Sequence, residues 1–284
     1  MGPILIIDSH SIAHALKHTM DDLTNEEKKV GIIFGFLKQI LSLSKRFDTN
    51  KFIFCWDSKK SNRRDIYPTY KQNRNTAQTT EEQQLNNLAF NQFGEIRRKV
   101  LPKLGFRNNF IQTGIEADDI IAIITKNIGC EATIVSTDQD LYQLLTPKIS
   151  IFNHKTKKLM TDKIFTKNYS ITPEEWVKVK QIAGCNTDNV KGINGIGEKR
   201  AINFIKNELK TDSVWYNRIT SGKEIIDRNE ALVKLPYKGM NIPILLDNET
   251  FYVANFIEVT DQYAFRSMQQ ITTLNEWITN FGMV

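Results

Sequence analysis

Short apolar runs that stop at an aspartate recur along the chain. Ile4-Leu5-Ile6-Ile7 ends at Asp8, Phe52-Ile53-Phe54-Cys55-Trp56 ends at Asp57, and Ala132-Thr133-Ile134-Val135-Ser136-Thr137 ends in Asp138-Gln139-Asp140. Runs of this length with little polar alternation predict strands buried on both faces, as in a parallel sheet covered by helices. Val30 to Phe47 instead carries its apolar residues at helical spacing and closes on Lys45-Arg46, predicting an amphipathic helix with basic residues in its last turn. Ile149 to Phe152 reads as another strand, Phe106 to Thr113 as one interrupted by Arg107-Asn108-Asn109, and Leu141 to Leu145 as the start of a helix.

In an open parallel sheet the ligand crevice lies outside the carboxyl ends of the strands, so Asp8, Asp57, Asp138 and Asp140 are predicted to converge. They meet the start of a further apolar helix, where Gly114-Ile115-Glu116-Ala117-Asp118-Asp119 precedes Ile120-Ile121-Ala122-Ile123-Ile124. Some negative charge suits the first turn of a helix, but three carboxylates in four positions exceed what a cap requires. If the helix starts near Glu116, that residue and Asp119 share a face with Asp118 beside them, and without counter-charge they repel. A divalent cation is the physical remedy, and an all-oxygen donor set suits Mg²⁺ or Mn²⁺. Taken alone, the stretch also reads as an acidic helix start on the surface.

The totals narrow the class. At 284 residues, 40% hydrophobic and 25% charged, the chain matches an ordinary globular protein of one large or two small domains. No uncharged apolar run nears the roughly 18 residues of a membrane span, and no membrane partner is expected. Met1 to Asp8 lacks a basic flank and reads as a strand, not a signal peptide. Cys55, Cys130 and Cys185 are odd in number and widely spaced, which argues against a disulfide framework or a zinc site and fits a reducing cytoplasm.

The net charge of +6 matters less than its distribution. Between Ser58 and Arg74, Lys59, Lys60, Arg63, Arg64, Lys71 and Arg74 meet only Asp65 as an acid, and Tyr67 and Tyr70 are interleaved with them. Rings that stack on bases and cations that track phosphates make a single-stranded nucleic-acid path; a solvated basic loop is the plain alternative. Thr79-Thr80-Glu81-Glu82 then opens a polar segment through Arg97-Arg98-Lys99, predicting a weakly amphipathic helix that bridges over something instead of packing.

From Thr172-Pro173-Glu174-Glu175 the character is helical, with proline at the first helical position. Gly184-Cys185-Asn186-Thr187-Asp188-Asn189 follows, and then Val190-Lys191-Gly192-Ile193-Asn194-Gly195-Ile196-Gly197 leads into a helix from Ala201 to Leu209. Amides of such a glycine turn, with the amino end of the next helix, can hold a phosphate. It is not a Walker loop, because no Ser or Thr follows Lys199. It resembles a sequence-independent helix-hairpin-helix element, or an ordinary interhelical turn. Thr211 to Val284 mixes helices with turns at Pro236, Gly239 and Pro243 and offers no acid cluster. His10, His14, His18 and His154 show no ligand spacing, so surface or core roles are expected.

Together these six motifs, in this order, resemble the 5′ nuclease superfamily: flap endonucleases, bacteriophage 5′-3′ exonucleases and the exonuclease domain of bacterial DNA polymerase I. The resemblance covers residues 4 to 210. It implies an α/β fold with a PIN-like, mostly parallel sheet flanked by helices. The nuclease core would span 1–165, including a basic arch region at 58–100, and a helical region 166–284 would hold the helix-hairpin-helix-type motif at 174–210. The implied activity is a metal-dependent 5′-3′ exonuclease and 5′-flap endonuclease of DNA replication and repair, acting on DNA with 5′ ends, flaps or junctions, and on RNA primers or RNA-DNA hybrids. No protein partner is identified.

The resemblance also implies site residues. Two metals lie typically ~3.5–4 Å apart in such enzymes. The first centre maps onto Asp8, Asp57, Glu116, Asp118 and Asp119, and the second onto Asp138, Asp140 and Asp188. Lys71 and Arg74 would polarise the scissile phosphate, and Arg63 and Tyr70 would steer or stack the 5′ end. Residues 75–100 would form an arch over a threaded strand. Lys191, Gly192, Gly195, Gly197, Lys199 and Arg200 would grip the duplex backbone, with K⁺ among the carbonyls of that hairpin.

One departure stands out. Where the superfamily usually has Gly-Asp-x-x-Asp-Asn, Cys185 replaces the first aspartate. A thiol is a poor ligand for a hard cation, so the second metal is expected to bind more weakly, through Asp138, Asp140, Asp188 and water, with Asn186 as a helper. A catalytically impaired branched-DNA-binding protein of the same fold is one rival reading. A phosphatase using Asp8 as nucleophile is another, although Asp8-Ser9-His10 lacks the usual second acid.

Overall fold

In the computed structural model, which describes residues 2–17, 23–26, 28–74, 79–240 and 243–284, the three aspartate-ended runs lie side by side at the middle of a six-stranded sheet. β1 (Ile4–Asp8) leads into α1 (Ser9–Lys17) and α2 (Gly31–Phe47), then β2 (Phe52–Cys55). α3 (Thr80–Glu95), β3 (Asn109–Phe110), α4 (Ala117–Asn127), β4 (Ala132–Val135), β5 (Ile149–Asn153) and β6 (Lys158–Met160) follow. The strand order is β3-β2-β1-β4-β5-β6, parallel except for β6. Asp8 pairs with Cys55 and Ile7 with Val135, so three strands end at one level and deliver Asp8, Asp57 and Asp138 to one rim.

Alternation along each strand sends neighbouring side chains to opposite faces. Leu5, Ile7, Phe52, Phe54 and Trp56 join a core with α2, whereas Ile6, Ile53, Cys55 and Ile134 join a core with α4. The second core also takes in α5 (Trp176–Ala183), α6 (Glu198–Ile205) and α7 (Val214–Ser221). α8 (Lys223–Val233) lies against α5. α9 (Val253–Gln262) and α10 (Ile271–Phe281) return to the first core, where Phe281 meets Phe52 at a ring separation of 5.9 Å and Phe256 meets Trp277 at 4.9 Å. Burying each such ring contributes about 1.5–3 kcal/mol. Both cores therefore run across residue 165, and the stretch from Thr211 onward, featureless as sequence, supplies part of the wall behind the sheet.

Several elements differ from expectation: the strand expected over Phe106 to Thr113 shortens to Asn109–Phe110, and the helix expected from Ala201 to Leu209 runs Glu198–Ile205. α3 carries the Thr79–Glu82 capping box and continues into a wider π-type turn at Ile96–Val100. It does not merely bridge: Ala89 and Phe93 are buried in the first core, while Leu85, Leu88 and Phe90 stay exposed. Leu141 to Leu145 is a short 3-10 turn, Asp140–Leu144, pinned where Gln143 donates to the carbonyls of Asp140 and Val233. The helix predicted from Thr172 begins at Trp176, because Thr172 and Glu175 cap each other across an intervening turn.

Candidate metal centre

The rim of the sheet opens into a cavity of about 790 Å³ lined by Asp8, Asp57, Asp118, Asp138 and Asp140, with Lys71 and Lys180 as its cations. Three of these acids accept from backbone amides nearby. Asp8 accepts from the Ser11 amide at 3.0 Å and the Ser136 hydroxyl at 2.7 Å. Asp57 accepts from the Ala117 amide at 2.8 Å, capping the amino end of α4. Asp138 accepts from the Asp140 amide at 2.8 Å.

Crowding shows in their proton affinities. Burial, and next the Asp57 charge, push Asp8 up to about 7. Burial and Asp140 push Asp138 up to about 6. Asp118 rises well above the usual carboxylate range through burial, Asp138 and Asp8. Carboxylates that hold one another's protons are short of positive charge, and a divalent cation with oxygen ligands is what such a set fits.

Glu116 stands apart from them. Burial would raise it, but Lys71 and Arg63 outweigh burial and hold its carboxyl below the usual range. One oxygen, Oε2, accepts from Lys71 Nζ at 2.9 Å and from the Tyr70 hydroxyl at 3.0 Å. That hydroxyl also lies 3.1 Å from Asp188 Oδ2, so Tyr70 ties Glu116 and Asp188 together through one atom. Lys71 takes a left-handed backbone, φ +54°, and its amide donates to the Asp188 carbonyl at 2.8 Å, which turns its ammonium into the cavity.

The second half of the cavity is built on the loop after α5. Asp140, Cys185 and Asp188 bring their ligand atoms within 4.8 Å of one another and could hold a metal ion. Cys185 is buried, its sulfur 3.0 Å from the Thr187 hydroxyl, and burial followed by Asp140 and Asp188 pushes its thiol up to about 12. Lys180, buried on α5, sits 3.0 Å from Asp140 Oδ1 and 2.8 Å from Glu198 Oε1. These partners outweigh burial and keep it charged.

Several expected site residues are placed elsewhere. Asp119 is fully buried, with both oxygens occupied by Arg63 at 2.6 and 2.8 Å and one also by the Tyr237 amide at 2.7 Å, so it is a structural partner and not a ligand in this arrangement. Arg63, 2% exposed, cannot reach a 5′ end, and Tyr70, also 2% exposed, presents its hydroxyl to acids instead of its ring to a base. The side chain of Arg74 lies outside the described residues, as do residues 75–78 of the expected arch and His18.

The glycine hairpin is tightly built. A Cβ on Gly192 would lie 2.2 Å from the Ala183 carbonyl oxygen, and Gly195 has φ +78°. Lys191, Lys199 and Arg200 are exposed around it. Arg200 donates to the Gly195 carbonyl at 2.7 Å and lies 4.0 Å over the Trp215 ring, while Arg218 donates to the Asn194 carbonyl at 3.2 Å. Among the described residues this turn is more than 160 positions from Asp8 in sequence, yet Gly197 lines the same cavity.

Sequence reasoning missed Lys180, Ser11, Ser136, Thr137, His10 and His14. The histidines are four apart on α1, which puts both on the cavity face, and that spacing was a usable signal. His10 Nδ1 accepts from the Asp57 amide at 3.0 Å. Nothing in the local sequence marks Lys180. A second cavity of about 630 Å³ shares His10, His14, Asp57 and Lys71 with the first and continues past Lys59, Lys60, Arg64, Arg97, Arg98 and Phe90, so the acid pocket opens into a basic passage.

Residues 3–170 match the family model of the 5′-3′ exonuclease, N-terminal resolvase-like domain. A 5′-3′ exonuclease of Buchnera aphidicola subsp. Acyrthosiphon pisum is 31% identical over 244 residues, covering 84% of this chain and 82% of that protein. The fold is similar to that of the zinc-bound bacteriophage T5 5′-exonuclease, with a TM-score of 0.72 and 27% identity over 82% of this chain and 90% of that one. It is equally similar, TM-score 0.72 at 25% identity, to the bacteriophage T5 flap endonuclease in complex with DNA and metal ions, over 96% of this chain and 99% of that one.

Proposed function

The chain belongs to the 5′-3′ exonuclease family of the 5′ nuclease superfamily, and from that premise we propose that it is a divalent-metal-dependent 5′-3′ exonuclease and 5′-flap endonuclease of DNA. The observation that carries the reading is the convergence of Asp8, Asp57, Asp118, Asp138 and Asp140 on one cavity that opens directly into a basic passage. Phosphodiester hydrolysis needs both: positive charge to draw in the backbone, and an acid-lined pocket for metal where the bond is cut.

Asp8 and Asp118 would hold the tighter Mg²⁺ or Mn²⁺, with Asp57 and Glu116 acting through water, and Asp138, Asp140 and Asp188 the weaker one. Such ions generate hydroxide and stabilise a leaving oxygen when bound. Lys71 would donate to the scissile phosphate as its charge develops, a role for which its place between Glu116 and Asp188 prepares it. Arg74 would act beside it. Lys59, Lys60, Arg64, Arg97 and Arg98 would track a single strand, with Phe90 available for stacking. Residues 174–210 would grip the duplex as a helix-hairpin-helix-type element. K⁺ would find competition there, since Arg200 and Arg218 already bring positive charge to the Gly195 and Asn194 carbonyls. RNA primers and RNA-DNA hybrids would enter by the same backbone-reading route.

Cys185 and Lys180 in the second half of the cavity favour keeping the DNA-binding but cleavage-impaired reading as the rival. Against the phosphatase reading stand the family match and the lack of a second acid in Asp8-Ser9-His10. The test is incubation of the full chain with a 5′-flap duplex and Mg²⁺ or Mn²⁺, with product ends mapped. Cleavage leaving 5′-phosphate and 3′-hydroxyl ends, lost in Asp118→Ala, is expected; binding with no cleavage in either metal selects the rival.

A further inference from the structure

Resting on the metal-dependent reading above, we infer that the second metal position, Asp140-Cys185-Asp188, is a mixed sulfur and oxygen site that selects a thiophilic divalent cation such as Co²⁺ or Zn²⁺ over Mg²⁺. Two observations carry this. The sulfur of Cys185 and carboxylate oxygens of Asp140 and Asp188 lie within 4.8 Å of one another. Ligands of a tetrahedral zinc-like ion stand at about 2.0–2.3 Å from it, hence about 3.3–3.8 Å from one another, so closing the site takes a side-chain movement of about 1 Å. Cys185 packs against Tyr70, Val190, Leu232 and Val233 and is at the same time one of the residues lining the cavity, within reach of an ion held there.

The rest of the donor set argues against Mg²⁺ at this position. That ion needs six oxygens in near-ideal octahedral order and gives up its waters reluctantly. Here it would find one sulfur, and its access to Asp140 is contested by the Lys180 ammonium at 3.0 Å. A four-coordinate cation needs only the sulfur, one oxygen from each aspartate and a water, which leaves the second oxygen of Asp140 for Lys180. On binding, the Cys185 S–H proton passes to solvent and a metal–sulfur bond forms as the cation sheds water; no redox change occurs. The first metal position keeps an all-oxygen set, so the two halves of one cavity would differ in metal preference.

The experiment is a titration of the full chain with Co²⁺, following the sulfur-to-cobalt charge-transfer absorption in the near ultraviolet, which reports the bond itself and not cleavage. Wild type and Cys130→Ser, which removes an exposed cysteine far from the cavity, are expected to develop the band; Cys185→Ser is expected to lose it. Calorimetry is expected to show the preference for Co²⁺ over Mg²⁺ falling on the order of 10–100-fold in Cys185→Asp. No band in wild type, or the same band in Cys185→Ser, overturns the inference. Because neither readout uses DNA, a failed nuclease reading shows separately, as intact substrate in the flap assay. If Cys185→Ser loses its fold by circular dichroism, the Cys185→Asp comparison carries the decision.

Discussion

Arg63 and Asp119 close on each other through two parallel contacts, Nη1 to Oδ2 at 2.6 Å and Nη2 to Oδ1 at 2.8 Å, with neither side chain reaching solvent. Arg63 Nε also donates to the Leu232 carbonyl at 2.8 Å, so the pair fastens the basic loop, the start of α4 and the end of α8 together. Removing one partner of a buried pair strands the other charge. Arg63→Ala is therefore expected to cost about 3–5 kcal/mol in urea unfolding, and Arg63→Lys a large part of it, because an ammonium cannot make the fork. A loss below about 1 kcal/mol would mean the pair does not pin these segments.

Metal-free stability should depend on pH in a stated direction. Asp8 and Asp138 are raised to about 7 and about 6 from 3.8. A carboxyl raised by folding binds its proton more tightly folded than unfolded, so these groups make stability fall as pH rises from about 4 to about 7 and level off above. Thermal midpoints in chelator are expected to decline across that window, Mg²⁺ to restore them on its alkaline side, and Asp138→Asn to flatten the decline. A chelated midpoint that is flat through the window would contradict the crowding.

Lys71→Ala is expected to slow cleavage by about 10²–10³-fold, while changing flap affinity less than about tenfold, since it removes one cation among many along the passage. Single-turnover rates and equilibrium binding on the same flap separate the two. Equal losses in both would assign Lys71 to binding alone.

Tyr70→Phe removes the hydroxyl shared by Glu116 and Asp188. A hydrogen bond to charged groups contributes roughly 1.5–3 kcal/mol, and a stability loss of that order is expected by chemical denaturation. The ring stays, so a stacking role would instead leave both stability and cleavage near wild type.

Gly192→Ala should be more costly than an ordinary loop change, because the added carbon meets backbone at 2.2 Å and cannot be relieved by a rotamer. A loss of about 1–3 kcal/mol in stability, with weaker duplex binding and single-strand binding retained, is expected from denaturation and gel-shift measurements. Unchanged duplex affinity would detach the hairpin from DNA.

The sequence by itself determined the sheet and its acidic rim. An unbroken apolar run such as Ile4-Leu5-Ile6-Ile7 has one favourable setting, buried on both faces, and a charge at its end must emerge where the strand stops. Chain order alone therefore brought Asp8, Asp57 and Asp138 to one level, and motif order named the family. The tertiary structure decided which acids face the cavity. Glu116, Asp118 and Asp119 look alike in a row, yet successive helical positions point different ways, and only packing put Arg63 against Asp119 and left Asp118 open to the pocket. Lys180 and Cys185 become neighbours of Asp140 because α5 and its following loop fold over the rim, and α9 and α10 return to the first core. Such contacts depend on how distant faces meet, which local propensity does not encode.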